Sequence, residues 1–130
     1  MAQSVEMFAQ FSYGPDMSYN DLMEAEEILR RSVGETLQAN AAEFIHFEGR
    51  GDTLRVQCAF FDFREGLFHA LSERMAPLAR GAIEARILFV DKGLDKLALY
   101  FLSDGQWRES VLVIPPAGPI GERMGKTGIK

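Results

Sequence analysis

Residues Glu43 to Phe61 read "EFIHFEGRGDTLRVQCAFF", and the predicted topology of the whole chain follows from how this stretch folds. Apolar and polar residues alternate on either side of a glycine-rich segment, Gly49 to Asp52, which is typical of two antiparallel strands joined by a short loop. With a four-residue loop, Phe47 faces Leu54 on the buried side of the hairpin. The other side then carries a mixed set of side chains: Phe44, His46, Glu48, Arg55, Gln57 and Phe61.

A strand and a helix precede this hairpin. Apolar and polar residues alternate from Val5 to Tyr13, which predicts a half-buried strand. From about Tyr19 to Ala39, apolar residues recur every three or four positions, which predicts an amphipathic helix. Ser18 or Asn20 is expected to cap the start of that helix, because short polar side chains accept hydrogen bonds from its free amide groups.

A second helix and three strands follow the hairpin. Asp62 and Glu65 have the spacing of a capping signal, so the second helix is expected to begin there. Pro77 lacks an amide hydrogen and is expected to kink or end this helix. Residues 82–90, 97–103 and 107–114 have the composition of strands, and Asp104-Gly105 predicts a tight turn between the last two.

The order of elements is therefore strand, helix, strand, strand, helix, strand, strand, strand. We predict an α+β fold: an antiparallel sheet with two helices on one face, in which a ferredoxin-like βαββαβ core is extended by a C-terminal β-hairpin. Residues 1–116 are predicted to form one domain, and residues 117–130 a flexible, glycine-rich tail.

The composition is that of a globular, acidic chain. Hydrophobic residues make up 47% of the sequence and charged residues 25%, and the formal net charge is −5 at pH 7. An acidic chain repels a phosphate backbone, so nucleic acid is not an expected partner. No apolar run has the length of a membrane span, and the N-terminus lacks the features of a secretion signal. We therefore expect a cytoplasmic protein that does not contact a membrane.

No motif in the chain predicts a cofactor, a metal site or a catalytic group. The Gly-Lys-Thr sequence at 125–127 resembles the end of a phosphate-binding loop, but Ile120 stands where the first glycine of that motif is required. Glu65 and His69 offer two metal ligands on one helix face, which is fewer than a closed site needs, so His69 is expected to lie on a solvated helix face. Cys58 falls on the buried side of the hairpin and is expected to be a core residue rather than a nucleophile.

The last three strands carry more apolar side chains than two helices on one face can cover. Apolar residues lie on both faces of these strands, so something is expected to cover the second face. The tail, a second copy of the chain, or a different partner or ligand could do so, and we predict a homodimer because two-fold dimers are the commonest assembly. The predicted interface residues are aromatic: Phe8, Phe61, Phe89, Tyr100 and Trp107.

These observations favour a non-catalytic cytoplasmic binding or assembly module that acts as a homodimer without a cofactor. The alternative is a small-molecule-binding enzyme or sensor with its pocket at the dimer seam, since such pockets combine apolar walls with a few polar groups. The four predicted ligand-binding residues for this alternative are His46, Glu48, Arg55 and Tyr100, and the four-residue loop would set His46 opposite Arg55.

Overall fold

The computed structural model describes residues 4–62, 64–91 and 96–113. Within these ranges the chain forms six strands, two α-helices and one 3₁₀ turn. Their bounds, in chain order, are β1 (Val5–Tyr13), α1 (Tyr19–Ala39), β2 (Glu43–Gly49), β3 (Thr53–Phe60), α2 (Leu67–Met75), the 3₁₀ turn (Ala76–Leu78), β4 (Ile83–Asp91), β5 (Lys96–Ser103) and β6 (Gln106–Val113).

The six described strands form one sheet in the order β2-β3-β1-β4-β5-β6, and every neighbouring pair is antiparallel. The predicted α+β class, with an antiparallel sheet and two helices, is confirmed. β5 and β6 are joined at Asp104 and Gly105, whose φ angles of 56° and 74° are those of the two-residue turn that suits the twist of a hairpin.

The hydrophobic core lies between the helices and one face of the sheet. β1 contributes its odd-numbered residues, among which Met7 and Phe11 are fully buried. α1 contributes a buried stripe that includes Val33. α2 packs against β5 and β6, and the ring of its Phe68 stacks on that of Phe89 in β4 with the centroids 4.3 Å apart. Each large apolar side chain removed from water in this way stabilises the fold by about 1.5–3 kcal/mol.

The loop between β2 and β3 is shorter than the sequence predicts. The Arg50 amide donates a hydrogen bond to the Thr53 carbonyl at 2.8 Å, so the loop itself consists of Gly51 and Asp52. Gly51 takes a φ of 78°, which glycine adopts without steric cost. The expected four-residue loop is therefore wrong, because the left-handed conformation of Gly51 closes the turn two residues sooner.

The shorter loop changes the cross-strand partners in this hairpin. Glu48 lies opposite Arg55, and His46 lies opposite Gln57, whereas the predicted loop would have set His46 opposite Arg55. Because side chains alternate between faces with a period of two residues, a shift of two residues changes the partners and preserves the faces. His46, Glu48, Arg55 and Gln57 therefore share the face that the sequence predicts for them.

The start of α2 also differs from the prediction. α2 begins at Leu67, and the preceding Gly66 has a φ of 84° and supplies no side-chain cap. A turn closed by a hydrogen bond from the Leu67 amide to the Arg64 carbonyl, 3.1 Å long, leads into the helix, so the capping role expected of Asp62 is wrong. The helix ends where expected, because Pro77 follows it within the 3₁₀ turn.

Some predictions concern residues outside the described ranges. The tail at 117–130 and the last residues of the predicted domain, 114–116, belong to this group. In the described ranges, neither helix combines the length and the apolar character that crossing a membrane requires.

α1 runs without interruption from Tyr19 to Ala39, and Ser18 caps it as expected by accepting a hydrogen bond from the Asp21 amide at 3.1 Å. Gly34 lies inside this helix. A Cβ atom built on Gly34 would lie 3.8 Å from the nearest atom of the Phe47 ring, which is an ordinary van der Waals contact.

Replacing Gly34 with alanine is therefore expected to raise the free energy of unfolding by about 0.5–1 kcal/mol, because alanine costs less conformational entropy in a helix and fits the space. Chemical denaturation measures the change. Gly51→Ala is the control: its Cβ would also have space, but its positive φ should make that substitution destabilising by about 1 kcal/mol. Equal effects of the two substitutions on the free energy of unfolding would show that the backbone conformations of Gly34 and Gly51 do not determine the outcome.

Candidate functional site

The face of the sheet opposite the helices, here called the open face, retains large exposed apolar side chains. Phe8, Leu99 and Leu112 are 41%, 44% and 64% exposed. The even-numbered residues of β1 lie on this face, since successive residues of a strand alternate between faces. Exposed apolar surface of this kind indicates that the open face binds a ligand or a partner.

One row of side chains on the open face contains three arginines. Residues that pair directly across neighbouring strands have their side chains on the same face. Following the pairs from β2 to β6 gives the arginine row, which consists of Glu48, Arg55, Gln10, Arg86, Phe101 and Arg108. Consecutive arginines in this row are two strands apart, which is a Cα separation of about 10 Å at the usual strand spacing.

The next row along the strands is apolar at its centre. It consists of His46, Gln57, Phe8, Leu88, Leu99 and Ser110. Residues of the two rows enclose the open-face pocket, a cavity of about 370 Å³. Its lining consists of Gln10, Glu48, Arg55 and Arg86 from the arginine row, Phe8, His46, Gln57, Leu88 and Leu99 from the next row, and Ala9 and Val56.

Two arginines in this pocket lack an ionic partner. The guanidinium groups of Arg55 and Arg86 make no hydrogen bond or ion pair with any residue in the ranges 4–62, 64–91 and 96–113. Glu48, which lies opposite Arg55, instead accepts a hydrogen bond from Nε of Arg50 at 3.1 Å. The pocket therefore contains two positive charges that no described side chain neutralises.

Three of the four predicted ligand-binding residues lie together in this pocket, namely His46, Glu48 and Arg55. The fourth, Tyr100, lies on the helix-covered face, opposite Ile87, and is fully buried. Tyr100 is therefore separated from the other three by the thickness of the sheet.

The aromatic residues predicted for a dimer interface are also divided between surfaces. Phe89 and Tyr100 are fully buried in the core. Trp107 lies on the same face as Tyr100, and its indole N–H donates a hydrogen bond to Glu73 of α2 at 2.8 Å. These three side chains therefore contribute to the packing of α2.

The other two predicted interface residues lie elsewhere. Phe8 lines the open-face pocket. Phe61 follows β3 and packs edge-on against Phe44, with the ring centroids 5.9 Å apart. Phe8 is thus the member of the predicted set that lines the same pocket as His46.

A second polar group, here called the Glu109 cluster, ties α2 to the edge of the sheet. Tyr100 and His69 both hydrogen-bond to Oε2 of Glu109, with Nε2 of His69 at 2.9 Å. Trp107 lies beside both rings, with its centroid 5.2 Å from that of His69 and 5.5 Å from that of Tyr100. The sequence interpretation of His69 as a solvated helix residue missed this contact, because it depends on the pairing of β5 with β6.

The environment of the Glu109 cluster shifts two pKa values in opposite directions. Burial, and then the hydrogen bond to Glu109, raise the pKa of the Tyr100 phenol. The hydrogen bond from Tyr100, followed by the bond to His69, lowers the pKa of Glu109 despite the opposing effect of burial. Tyr100 therefore remains a proton donor and Glu109 remains a carboxylate across the physiological range.

Cys58 is buried, as the alternation of β3 predicts. Burial raises the pKa of its thiol to about 12, so the sulfur is protonated and unreactive at neutral pH. In the described part of the chain, no group of three or more His, Cys, Asp or Glu side chains is arranged to hold a metal ion.

Gln10, Arg86 and Leu88 belong to the pocket, and sequence reasoning did not select them. The alternation of β4 sets Arg86 and Leu88 on one face, and this could have been read from the sequence. Their position beside Arg55 depends on the pairing of β1 with both β3 and β4. Alternation within one strand does not supply that pairing.

No family model matches the chain, and no curated protein matches it. Among solved structures, the chain is similar to the adenylyl cyclase CyaB from P. aeruginosa, with a TM-score of 0.47 and 10% sequence identity. The similarity covers 98% of this chain and 73% of that chain. It assigns no substrate to this protein.

The prediction of a non-catalytic assembly module is wrong. The open face, where a partner was expected, forms a pocket in which Arg55 and Arg86 have no ionic partner among the described residues, and this favours the small-molecule alternative.

The pKa of Glu109 predicts how stability responds to acid. Because this pKa lies below its ordinary value of 4.5, ionised Glu109 stabilises the fold at higher pH, and the contribution is lost as the pH falls through the folded-state pKa. Glu109→Gln should therefore be less stable by about 1 kcal/mol at neutral pH, since it loses charge-assisted hydrogen bonds.

The same variant should also lose less stability than the wild type between about pH 5 and pH 3. Denaturant unfolding at a series of pH values measures both effects. Tyr100→Phe removes the hydrogen bond that lowers the pKa most, so it should also reduce the acid dependence. Parallel curves for the wild type and both variants would show that Glu109 does not couple folding to pH.

Proposed function

We propose that the chain is a small-molecule-binding protein, an enzyme or a sensor, that takes up a small organic anion in the open-face pocket. The observation that carries the proposal is the pair Arg55 and Arg86. Both line one pocket on either side of Gln10, and neither has an ionic partner among the described residues.

An anion above Gln10 would lie between two guanidinium groups. Each guanidinium presents a planar set of N–H donors that matches a carboxylate or a phosphate, and such charge-assisted bonds are stronger than neutral ones. Without a ligand, the two cations, whose Cα atoms are about 10 Å apart, repel each other. An anion between them offsets that repulsion with two attractions, and the Gln10 amide supplies a further donor.

The remainder of the chain favours a small ligand over a polyanion. With a net charge of −5, the surface away from the pocket would repel a long chain of phosphates. The apolar lining of Phe8, Leu88 and Leu99 suits a ligand in which a hydrocarbon or ring adjoins the anionic group.

His46 and Glu48 form the other polar side of the pocket, on β2. Because Glu48 already accepts a hydrogen bond from Arg50, it can direct a donor group of the ligand without cancelling the charge of Arg55. We assign His46 the role of a hydrogen-bonding or acid–base partner of the ligand, which is the group that an enzyme would use here and a sensor would not need.

We also propose the ferredoxin-like core and the homodimer that the sequence predicts. A ferredoxin-like core made of β1 to β4, α1 and α2 is supported by the order β2-β3-β1-β4, with the β5–β6 hairpin added at one edge. A second copy of the chain covering the open face is supported by the exposed side chains of Leu99 and Leu112 beside the pocket. In that arrangement the ligand would lie at the dimer seam.

Substituting the arginines tests the proposal, with phenyl phosphate as the probe and benzylamine as its cationic counterpart. Phenyl phosphate should bind the wild type, and Arg55→Ala and Arg86→Ala should each weaken binding by about tenfold, the cost of a lost charge-assisted hydrogen bond. Chemical-shift perturbation in isotopically labelled protein measures the affinity and reports whether residues of the pocket respond.

Arg74→Ala is the matched control, because Arg74 lies on α2, on the helix-covered side of the sheet, and does not line the pocket. It should leave the affinity for phenyl phosphate unchanged. Equal binding by the wild type and both pocket variants would refute the proposal, as would tighter binding of benzylamine than of phenyl phosphate.

A further inference from the structure

The open face carries a groove that extends beyond the pocket. A cavity of about 230 Å³ shares Gln10 and Arg86 with the open-face pocket. A third cavity, of about 170 Å³, shares Phe101 with the second and reaches Arg108 on β6. These three neighbouring cavities, which share lining residues and are here called the transverse groove, follow the arginine row from β2 to β6.

Arg108 provides a third positive charge, at the far end of the transverse groove. Its guanidinium lies 4.9 Å from the centre of the Phe101 ring. Stacking on an aromatic ring uses the face of a guanidinium and leaves the N–H groups at its edge able to bind an anion. Arg108 makes no ion pair with a residue in the described part of the chain.

The stretch between the two ends of the groove is unfavourable for an anion. Glu84 lines the second cavity, between the two ends, so a negative group there would lie close to a carboxylate. The third cavity has one carboxylate among its described lining residues, Asp104, with which Arg108 makes no ion pair. Phe101 offers an apolar surface in the same stretch, with Leu99 in the neighbouring row. A neutral, apolar segment of a ligand fits these surroundings better than a charged one.

We propose that the ligand of the transverse groove is an elongated dianion, with two carboxylate or phosphate groups joined by an apolar spacer. One anionic group lies between Arg55 and Arg86, the spacer crosses Phe101, and the second anionic group binds Arg108. This inference rests on the proposed function, since it uses the same arginine pair for the first group. Gln10 and Arg108 are three strands apart, so the ligand spans about 15 Å.

Isothermal titration with three probes tests the inference: dodecanedioate, its monomethyl ester and succinate. The ester has the same spacer and one anionic group fewer, and succinate is too short to reach from Gln10 to Arg108. Dodecanedioate should bind the wild type about tenfold more tightly than the ester does, because the second carboxylate forms charge-assisted bonds with Arg108.

In Arg108→Ala the affinity for dodecanedioate should fall to that for the ester, and the affinities for the ester and for succinate should stay as in the wild type. Arg108→Gln keeps most of the side chain over Phe101 and should behave like Arg108→Ala, which separates loss of charge from loss of packing. Arg74→Ala, on α2 and therefore away from the open face, is the matched control and should change no affinity.

The possible failures are distinguishable. If the diacid and its ester bind the wild type equally well, or if Arg108→Ala weakens both alike, the elongated dianion is excluded. The proposed function survives that result when Arg55→Ala still weakens the ester. If none of the probes binds, and phenyl phosphate does not bind either, the inference and the proposed function both fail.

Discussion

The uninterrupted pairing of β1 with β3 on one side and β4 on the other is the interaction on which the remaining structure depends. It fixes which residues of three strands share a face, because one misplaced residue would exchange the two faces of a strand. The odd-numbered residues of β1 complete the core beneath the helices. The even-numbered Gln10 brings Arg55 and Arg86 into one row, although they are distant from each other in the sequence.

The two faces of the sheet differ in whether their charged side chains have partners within the fold. On the helix-covered face, Glu109 receives hydrogen bonds from Tyr100 and His69, so its charge is compensated within the fold. On the open face, Arg55 and Arg86 are left without compensation by the described residues. Compensated charge supports stability, and uncompensated charge beside an apolar pocket is what a ligand of opposite sign can use.

Local periodicity was sufficient to predict the element types, the α+β class and the burial of Cys58, because each depends on neighbouring residues in one segment. It was also sufficient to group His46, Glu48 and Arg55, since they share one hairpin. It could not separate Tyr100 from them. That separation requires the register between β1 and β4 and between β4 and β5, which long-range packing determines.

The two-residue loop at Gly51 and Asp52 has a consequence for how such a pocket can diverge. The register of β2 against β3 can change only in steps of two residues if the polar side chains of β2 are to stay on the open face, because a slip of one residue would turn them toward α1. A loop that also included Gly49 and Arg50 would slide β2 by two residues and set His46, in place of Glu48, opposite Arg55. An imidazole would then replace a carboxylate beside the anion site without any substitution in the pocket. Loop length is therefore a discrete means by which relatives of this chain could acquire different ligands on an unchanged sheet.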